Sequence, residues 1–396
     1  MSNGSSPIAM LDLQREVRDL GAELREAVDR VLSSGQFVGG PEVDAFEQEV
    51  ANYLGVNHAV ALNSGTDALV LALEALDIGS GDEVITTPFT FFATAEAIMR
   101  VGAIPRFADI DPLTLNIDPD TVVPLINERT RALLPVHLFG LPANMAALTD
   151  LANEHGLRVL EDAAQAFGAR YDAPCAGCDD ACSHAARGAH AGKMIGSIGD
   201  VGAFSFYPTK TLGAYGDGGM LTTSHDDVAE RVRRLRNHGS RPEAKYINDI
   251  LGHNSRLDAV QAAVLRLKLP RLEASNAARR SLALAYREAF TDTSEVIVPP
   301  DHPSHVYHQY TVQIPATKAS GVRASLDADG IAHQHFYPIS LSEQPALAHL
   351  TERFNDPVPV TRDVCSRVLS LPIHPHLQTS DVERIAQRVK DGLRDG

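Results

Sequence analysis

The chain has 396 residues, with 35 Lys and Arg against 51 Asp and Glu, for a formal net charge of −16. Hydrophobic residues make up 44% and charged residues 22%, the composition of a globular protein, and the length suits one large domain plus a smaller one. The acidic balance excludes a duplex nucleic-acid binder, which needs a basic footprint, but it leaves room for an anionic ligand held by backbone N–H groups or a few local cations. In chain order, Leu20, Leu24, Val28 and Val31 recur at helical spacing and predict a short arm and a helix over 10–35, stopped by Gly39-Gly40-Pro41. A second helix follows over 42–54. Strands are expected at 58–63, 82–87, 104–110, 131–138 and 157–161, with helices between them, including one over 145–155. Strands separated by helices in this way favour an α/β fold with a mainly parallel sheet covered on both faces. Further strands are expected at 203–206 and 219–223, and a surface helix begins near Val228. A long helical stretch over 257–290 joins a smaller C-terminal α+β domain, with a strand at 310–314 and helices at 321–328 and 381–393. The division expected is an arm at 1–22, a large domain at 23–256, and a linking helix with the small domain at 257–396.

Four local patterns carry chemistry. Asn63-Ser64-Gly65-Thr66 lies between a strand and a helix, where first-turn N–H groups and the helix dipole hold a phosphate; the same residues also make a plain N-cap. Glu161-Asp162-Ala163-Ala164-Gln165 closes a strand at its carboxyl end, where open α/β sheets bind ligands. Its Asp suits a protonated ring nitrogen or, equally, a helix cap. Ser205-Phe206-Tyr207-Pro208-Thr209-Lys210 places a lysine after a strand and a turn, fit for capturing an aldehyde if burial lowers its pKa. Gly216-Asp217-Gly218-Gly219 suits a tight turn beside it. A phosphate cradle, a carboxylate and a lysine together are the requirements of pyridoxal phosphate.

From about residue 11 to about 390 the chain resembles the DegT/StrS-type sugar aminotransferases, of pyridoxal-phosphate fold type I. The carrying motifs are Ser34-Gly35-Gln36-Phe37-Val38-Gly39-Gly40-Pro41-Glu42-Val43, the run 63–68, Gly81-Asp82-Glu83-Val84-Ile85 and Thr90-Phe91-Phe92-Ala93-Thr94. They continue with the runs 161–165, 202–210 and 213–219, and with Asn254-Ser255-Arg256-Leu257-Asp258. The resemblance implies that Lys210 is the catalytic amine that holds the cofactor and shuttles a proton. It assigns Asp162 to the pyridinium, whose charge would depress the Asp pKa, Gln165 to the ring hydroxyl, and Phe91 to the ring face. Gly65, Thr66 and Ser205 would take the phosphate. Asn254 would reach the phosphate of a neighbouring subunit, so that a homodimer shares its active sites. It implies an amino group moved from L-glutamate to a keto nucleotide-sugar, with no nucleic-acid or membrane partner. A sister branch of dehydrases carries His where Lys210 stands; a lyase and a non-catalytic regulator are the alternatives.

Two departures stand out. His335-Phe336-Tyr337-Pro338-Ile339-Ser340-Leu341-Ser342 matches the family pattern at Tyr337 and Pro338, and Tyr337 and His335 are assigned to the substrate, but Ser340 and Ser342 stand where the family usually carries Pro and His. The segment 173–191 reads as an insertion. Its Cys175, Cys178, Cys182 and His184 offer four soft ligands of the kind a tetrahedral zinc accepts, although the spacing departs from paired Cys-x2-Cys motifs, and no metal is assigned. Arg241 and Lys245 are local cations suited to a diphosphate. Four cysteines in all are too few for a disulfide scaffold, no run approaches the ~18 apolar residues of a membrane span, and the first residues lack a signal peptide's pattern, so the cytoplasm is expected.

Overall fold

The computed structural model describes residues 6–171, 190–241, 243–354 and 356–395. At the centre lies a seven-stranded sheet of β1 (His58–Leu62), β2 (Glu83–Thr86), β3 (Ile104–Phe107), β4 (Thr130–Leu134), β5 (Arg158–Asp162), β6 (Val201–Ser205) and β7 (Gly219–Thr223). Their spatial order is β1-β7-β6-β5-β4-β2-β3. From β6 to β3 every neighbouring pair is parallel, whereas β7 runs against both β6 and β1. Because β7 reverses twice, β1 and β6 point the same way. The carboxyl ends of β1, β4, β5 and β6 therefore open on one rim.

The strands are short apolar runs because both faces are covered. Side chains alternate across the sheet with period two. Val60 and Leu62 enter a core with the helices Gly65–Ala75 and Asp226–Leu235, while Ala59 and Ala61 enter another with Pro41–Leu54, Met145–His155 and Ala259–Lys268. The α/β expectation is met, and the helix over Met145–His155 has the predicted bounds.

Other boundaries differ for local reasons. β4 ends at Leu134 rather than 138, because Pro135 has no N–H to extend the ladder. β3 ends at Phe107 rather than 110; shortly beyond it the Asp109 carboxylate turns to accept the Val360 and Thr361 N–H groups, at 2.8 and 2.9 Å. The stretch over 257–290 is two helices, Ala259–Lys268 and Leu272–Ala289, separated by a 3₁₀ turn at Leu269–Arg271 that contains Pro270. A proline there clashes with the preceding turn and breaks the ladder.

Toward the C-terminus, β8 (Tyr310–Gln313) and β9 (Val368–Leu371) pair antiparallel and pack with the helices Ala319–Ala328 and Thr379–Asp395 around a separate core. Ile8 joins that core, its N–H donating to the Gly330 carbonyl at 3.0 Å. The helix Leu13–Ser34 that follows is interrupted at Gly21 (φ 49°, ψ −115°).

Candidate active site

A cavity of about 490 Å³ opens at the shared rim. One wall is the N-terminus of the helix Gly65–Ala75, capped by Ser64, whose hydroxyl accepts the Asp67 N–H at 3.1 Å. The first turn presents Gly65 and Thr66 to the cavity, next to Ser205 at the end of β6. The fit is close: a Cβ on Gly65 would stand 2.7 Å from Ser205 Cβ, and one on Gly219 2.2 Å from the Ser64 carbonyl carbon. Glycine at both positions lets three chain segments converge where helix dipole and N–H groups favour an anion.

Asp162 ends β5 and is 6% exposed. Its carboxylate accepts the Thr94 hydroxyl at 2.9 Å and the Ala164 N–H at 3.2 Å. Burial raises its pKa above the usual carboxylate range, and Thr94, Ala164 and the nearby Lys210 pull the other way. The depressed pKa expected from sequence is thus reversed among the chain's own groups. A buried carboxylate of this kind is stabilised by a cation set against it. Glu161, one residue earlier, faces the opposite side of the sheet. It accepts the N–H groups of Gly196, Ile198 and Gly199 at 2.9, 2.7 and 2.8 Å, and His137 Nε2 donates to it at 3.1 Å. That tautomer follows from His137 Nδ1, which accepts the Ala143 N–H at 3.0 Å. Glu161 ties down a loop; Asp162 faces the cavity.

Lys210 follows the Tyr207–Lys210 turn, closed by its N–H on the Tyr207 carbonyl at 2.9 Å. Its side chain is partly buried in the cavity wall. Desolvation lowers its ammonium pKa to about 8, opposed by Asp162. Gln165 is oriented at both ends: Oε1 accepts the Phe139 N–H at 2.7 Å, and Nε2 donates to the Tyr337 hydroxyl at 3.2 Å. Tyr337 brings the C-terminal region to the rim, and burial raises its hydroxyl pKa. Phe91 lines the mouth, 61% exposed.

Thus Gly65, Thr66, Phe91, Asp162, Gln165, Ser205, Lys210 and Tyr337 share one cavity. His335 and Asn254 lie outside its wall. The His335 ring is bound to the Cys365 carbonyl at 2.7 Å, and Asn254 is exposed, its side-chain oxygen accepting the Arg256 guanidinium. Ser340 and Ser342 are buried and bond each other at 2.8 Å. Arg241 is paired with Asp249 at 2.7 and 2.8 Å. The Lys245 side chain, and Cys175, Cys178, Cys182 and His184, fall outside the described residues. Among the described residues no group of three or more His, Cys, Asp or Glu is placed to hold a metal ion. Sequence reasoning missed Thr94 as the partner of Asp162, and also His308, which is buried in the cavity wall and held neutral by desolvation and by the fields of Lys210 and Arg279. Thr94 was within a motif already noted, four residues after Thr90. His308 carries no local signal.

The donor set fits pyridoxal phosphate: an amine partly neutral near physiological pH, a buried carboxylate without a contacting cation among the described residues, and a helix N-terminus for the phosphate. Residues 18–390 match the model of the DegT/DnrJ/EryC1/StrS aminotransferase family, and the chain belongs to it. It is 42% identical to the UDP-N-acetyl-3-dehydro-alpha-D-glucosamine 3-aminotransferase of Acidithiobacillus ferrooxidans, covering 98% of this chain and 99% of that protein. It is 40% identical to a pleiotropic regulatory protein of Geobacillus stearothermophilus, over the same shares. The crystal structure of S. venezuelae DesV superposes with a TM-score of 0.87 at 41% identity, covering 98% of each chain.

Proposed function

We propose that the chain is a pyridoxal-phosphate aminotransferase moving an amino group from L-glutamate to the keto group of a nucleotide-linked sugar. The observation that carries this is the placement of Lys210 and Asp162 in one cavity beside a helix N-terminus; family membership and the named activity of the A. ferrooxidans relative support the sugar substrate. When bound, the cofactor supplies an electron sink for the charge that develops on the carbon losing a proton. Lys210 Nζ holds it, then moves that proton; a pKa near 8 suits an amine that must serve as base and as acid. Asp162, steadied by Thr94, keeps a positive charge on the ring nitrogen. Gln165 orients the ring hydroxyl, Phe91 covers the ring face, and Gly65, Thr66 and Ser205 bind the phosphate. Tyr337 faces the sugar.

The roles of Asn254 and His335 belong to the same proposal. The exposed Asn254 suits a site completed by a second subunit in a homodimer, and His335, two residues before Tyr337 and with its ring bound to the Cys365 carbonyl, is the second residue proposed for the substrate. A cytoplasmic location accords with the absence, among the described residues, of any helix long and apolar enough to cross a membrane. The proposed division into an arm (1–22), a large domain (23–256) and a small one (257–396) is supported by the separate C-terminal core, to which Ile8 of the arm also contributes.

Purified Lys210→Ala, assayed by mass for amine transfer, is expected to lose at least about 10³-fold in rate. Full activity refutes the assignment. Glutamate alone separates transamination from lyase chemistry, because conversion of the cofactor to its amine form bleaches the visible band only in the former. A regulator of the kind the Geobacillus relative's name suggests would bind the cofactor without turnover.

A further inference from the structure

A second cavity, of about 170 Å³, lies between the N-terminal helix, the helix Leu272–Ala289 and the segment around His374, and shares Thr209 and Lys210 with the first. Arg279 lines it and is 6% exposed, and its Nε and Nη1 have no hydrogen-bond partner. Apart from Lys210, the other charged groups around the cavity are engaged. Lys268 donates to Glu16 and to the Gly213 carbonyl, both at 2.6 Å, and Glu16 also accepts the Tyr215 hydroxyl at 2.9 Å. Arg271 is paired with Glu23 at 2.8 Å. Asp12 caps the helix by accepting the Arg15 N–H at 2.9 Å, and Asp19 stands 3.8 Å from Arg15 and 3.6 Å from His376. Burial and the fields of His376 and Arg279 push His374 down to about 4, so it adds no charge at neutral pH. Among the described residues, Arg279 is therefore, besides Lys210 on the shared wall, the cation of this cavity without a contacting acid. Desolvation, only partly offset by Glu16, lowers even its guanidinium pKa, to about 10.

A buried guanidinium with idle N–H groups is costly, and a counter-ion offsets that cost. We infer that this cavity is a binding site for one small monovalent anion, a halide or a short carboxylate such as formate, held by Arg279. The acids on its rim, Asp12, Glu16 and Asp19, disfavour doubly charged anions. Ser275, one turn before Arg279 and also in the wall, adds a hydroxyl donor. The ion braces the N-terminal helix against the turn that carries Lys210. It is a site apart from the proposed substrates, and stands whether or not they are correct.

The native chain is crystallised without halide and soaked in bromide. An anomalous peak within hydrogen-bond distance of Arg279 is expected, and water alone in the cavity overturns the inference. In solution, chloride NMR linewidths should broaden saturably with native protein, and formate should compete if the site accepts carboxylates as well. Arg279→Gln should weaken binding at least about tenfold, as expected for loss of a charge-assisted hydrogen bond; Arg279→Lys should retain most of it. Unchanged binding in Arg279→Gln, or a crystal peak without saturable binding in solution, refutes the site. Should Arg279→Gln not fold, the bromide soak and the titration of native protein decide.

Discussion

Thr94→Val isolates the group that holds Asp162 as a carboxylate. The substitution keeps the shape of the side chain and removes the one hydroxyl donating to that carboxylate, at 2.9 Å, in a site where Asp162 is only 6% exposed. A hydrogen bond to a buried charge is worth about 1.5–3 kcal/mol. Each 1.4 kcal/mol is a factor of ten, so the variant should bind a proton on Asp162 about 10- to 100-fold more tightly. The direction follows from which form the bond stabilises. Thr94 favours the charged carboxylate, its loss raises the pKa further, and activity that needs the charge disappears at higher pH than in the native enzyme. The assay is the rate of the glutamate half-reaction, followed by cofactor absorbance across pH, with cofactor affinity measured in parallel. The acid limb should move to higher pH with the plateau largely kept. An unmoved limb and unchanged cofactor affinity would show that Thr94 is only a packing residue and refute the reasoning.

Gly65→Ala should weaken cofactor binding by at least about tenfold, because its Cβ needs space 2.7 Å from Ser205 Cβ; fluorescence titration of the apoenzyme measures it. Glu161→Gln should cost about 3–5 kcal/mol in thermal or denaturant unfolding, as breaking a buried, fully bonded charge does. Glu161 has its pKa lowered from 4.5, so its contribution is present above that value and lost as pH falls through the folded-state pKa. The variant's stability should therefore fall less steeply on acidification than that of the native chain. Tyr337→Phe removes the hydroxyl bonded to Gln165 and should cost only about 0.5–1.5 kcal/mol of stability while raising KM for the sugar acceptor. An unchanged KM removes Tyr337 from the substrate site.

Much of the fold was legible because the sheet is covered on both faces, which turns strands into uninterrupted apolar runs between helices. The strand ends were less so. Pro135 stops β4 early through its missing N–H, and Pro270 splits a predicted helix through the same missing N–H and the clash of its ring with the preceding turn. β9 was missed because Val368–Leu371 is four residues long and follows a helix directly, too short a run to show a period. The residues around the candidate site were readable where they cluster locally, as at 63–66, 161–165 and 205–210. Contacts that join distant segments were not. The bond from Gln165 to Tyr337, the approach of His308 to Lys210 and the placement of Arg279 beneath the lysine turn depend on how the sheet and the C-terminal core meet.

The reversed strand β7 also has a consequence for biosynthesis. β1 is an edge strand whose partner is β7, pairing His58 with Thr223 and Leu62 with Gly219. A nascent chain that has emerged only through β6 has the lysine turn still to come and no neighbour for β1, and the turn at 64–65 lacks its contact with Gly219. Closure of the anion cradle is thus tied to one of the longest-range pairings in the sheet, and such pairings form slowly because loop-closure entropy precedes any gain. Capture of cofactor during translation should begin abruptly once Thr223 clears the ribosome, rather than growing gradually with chain length.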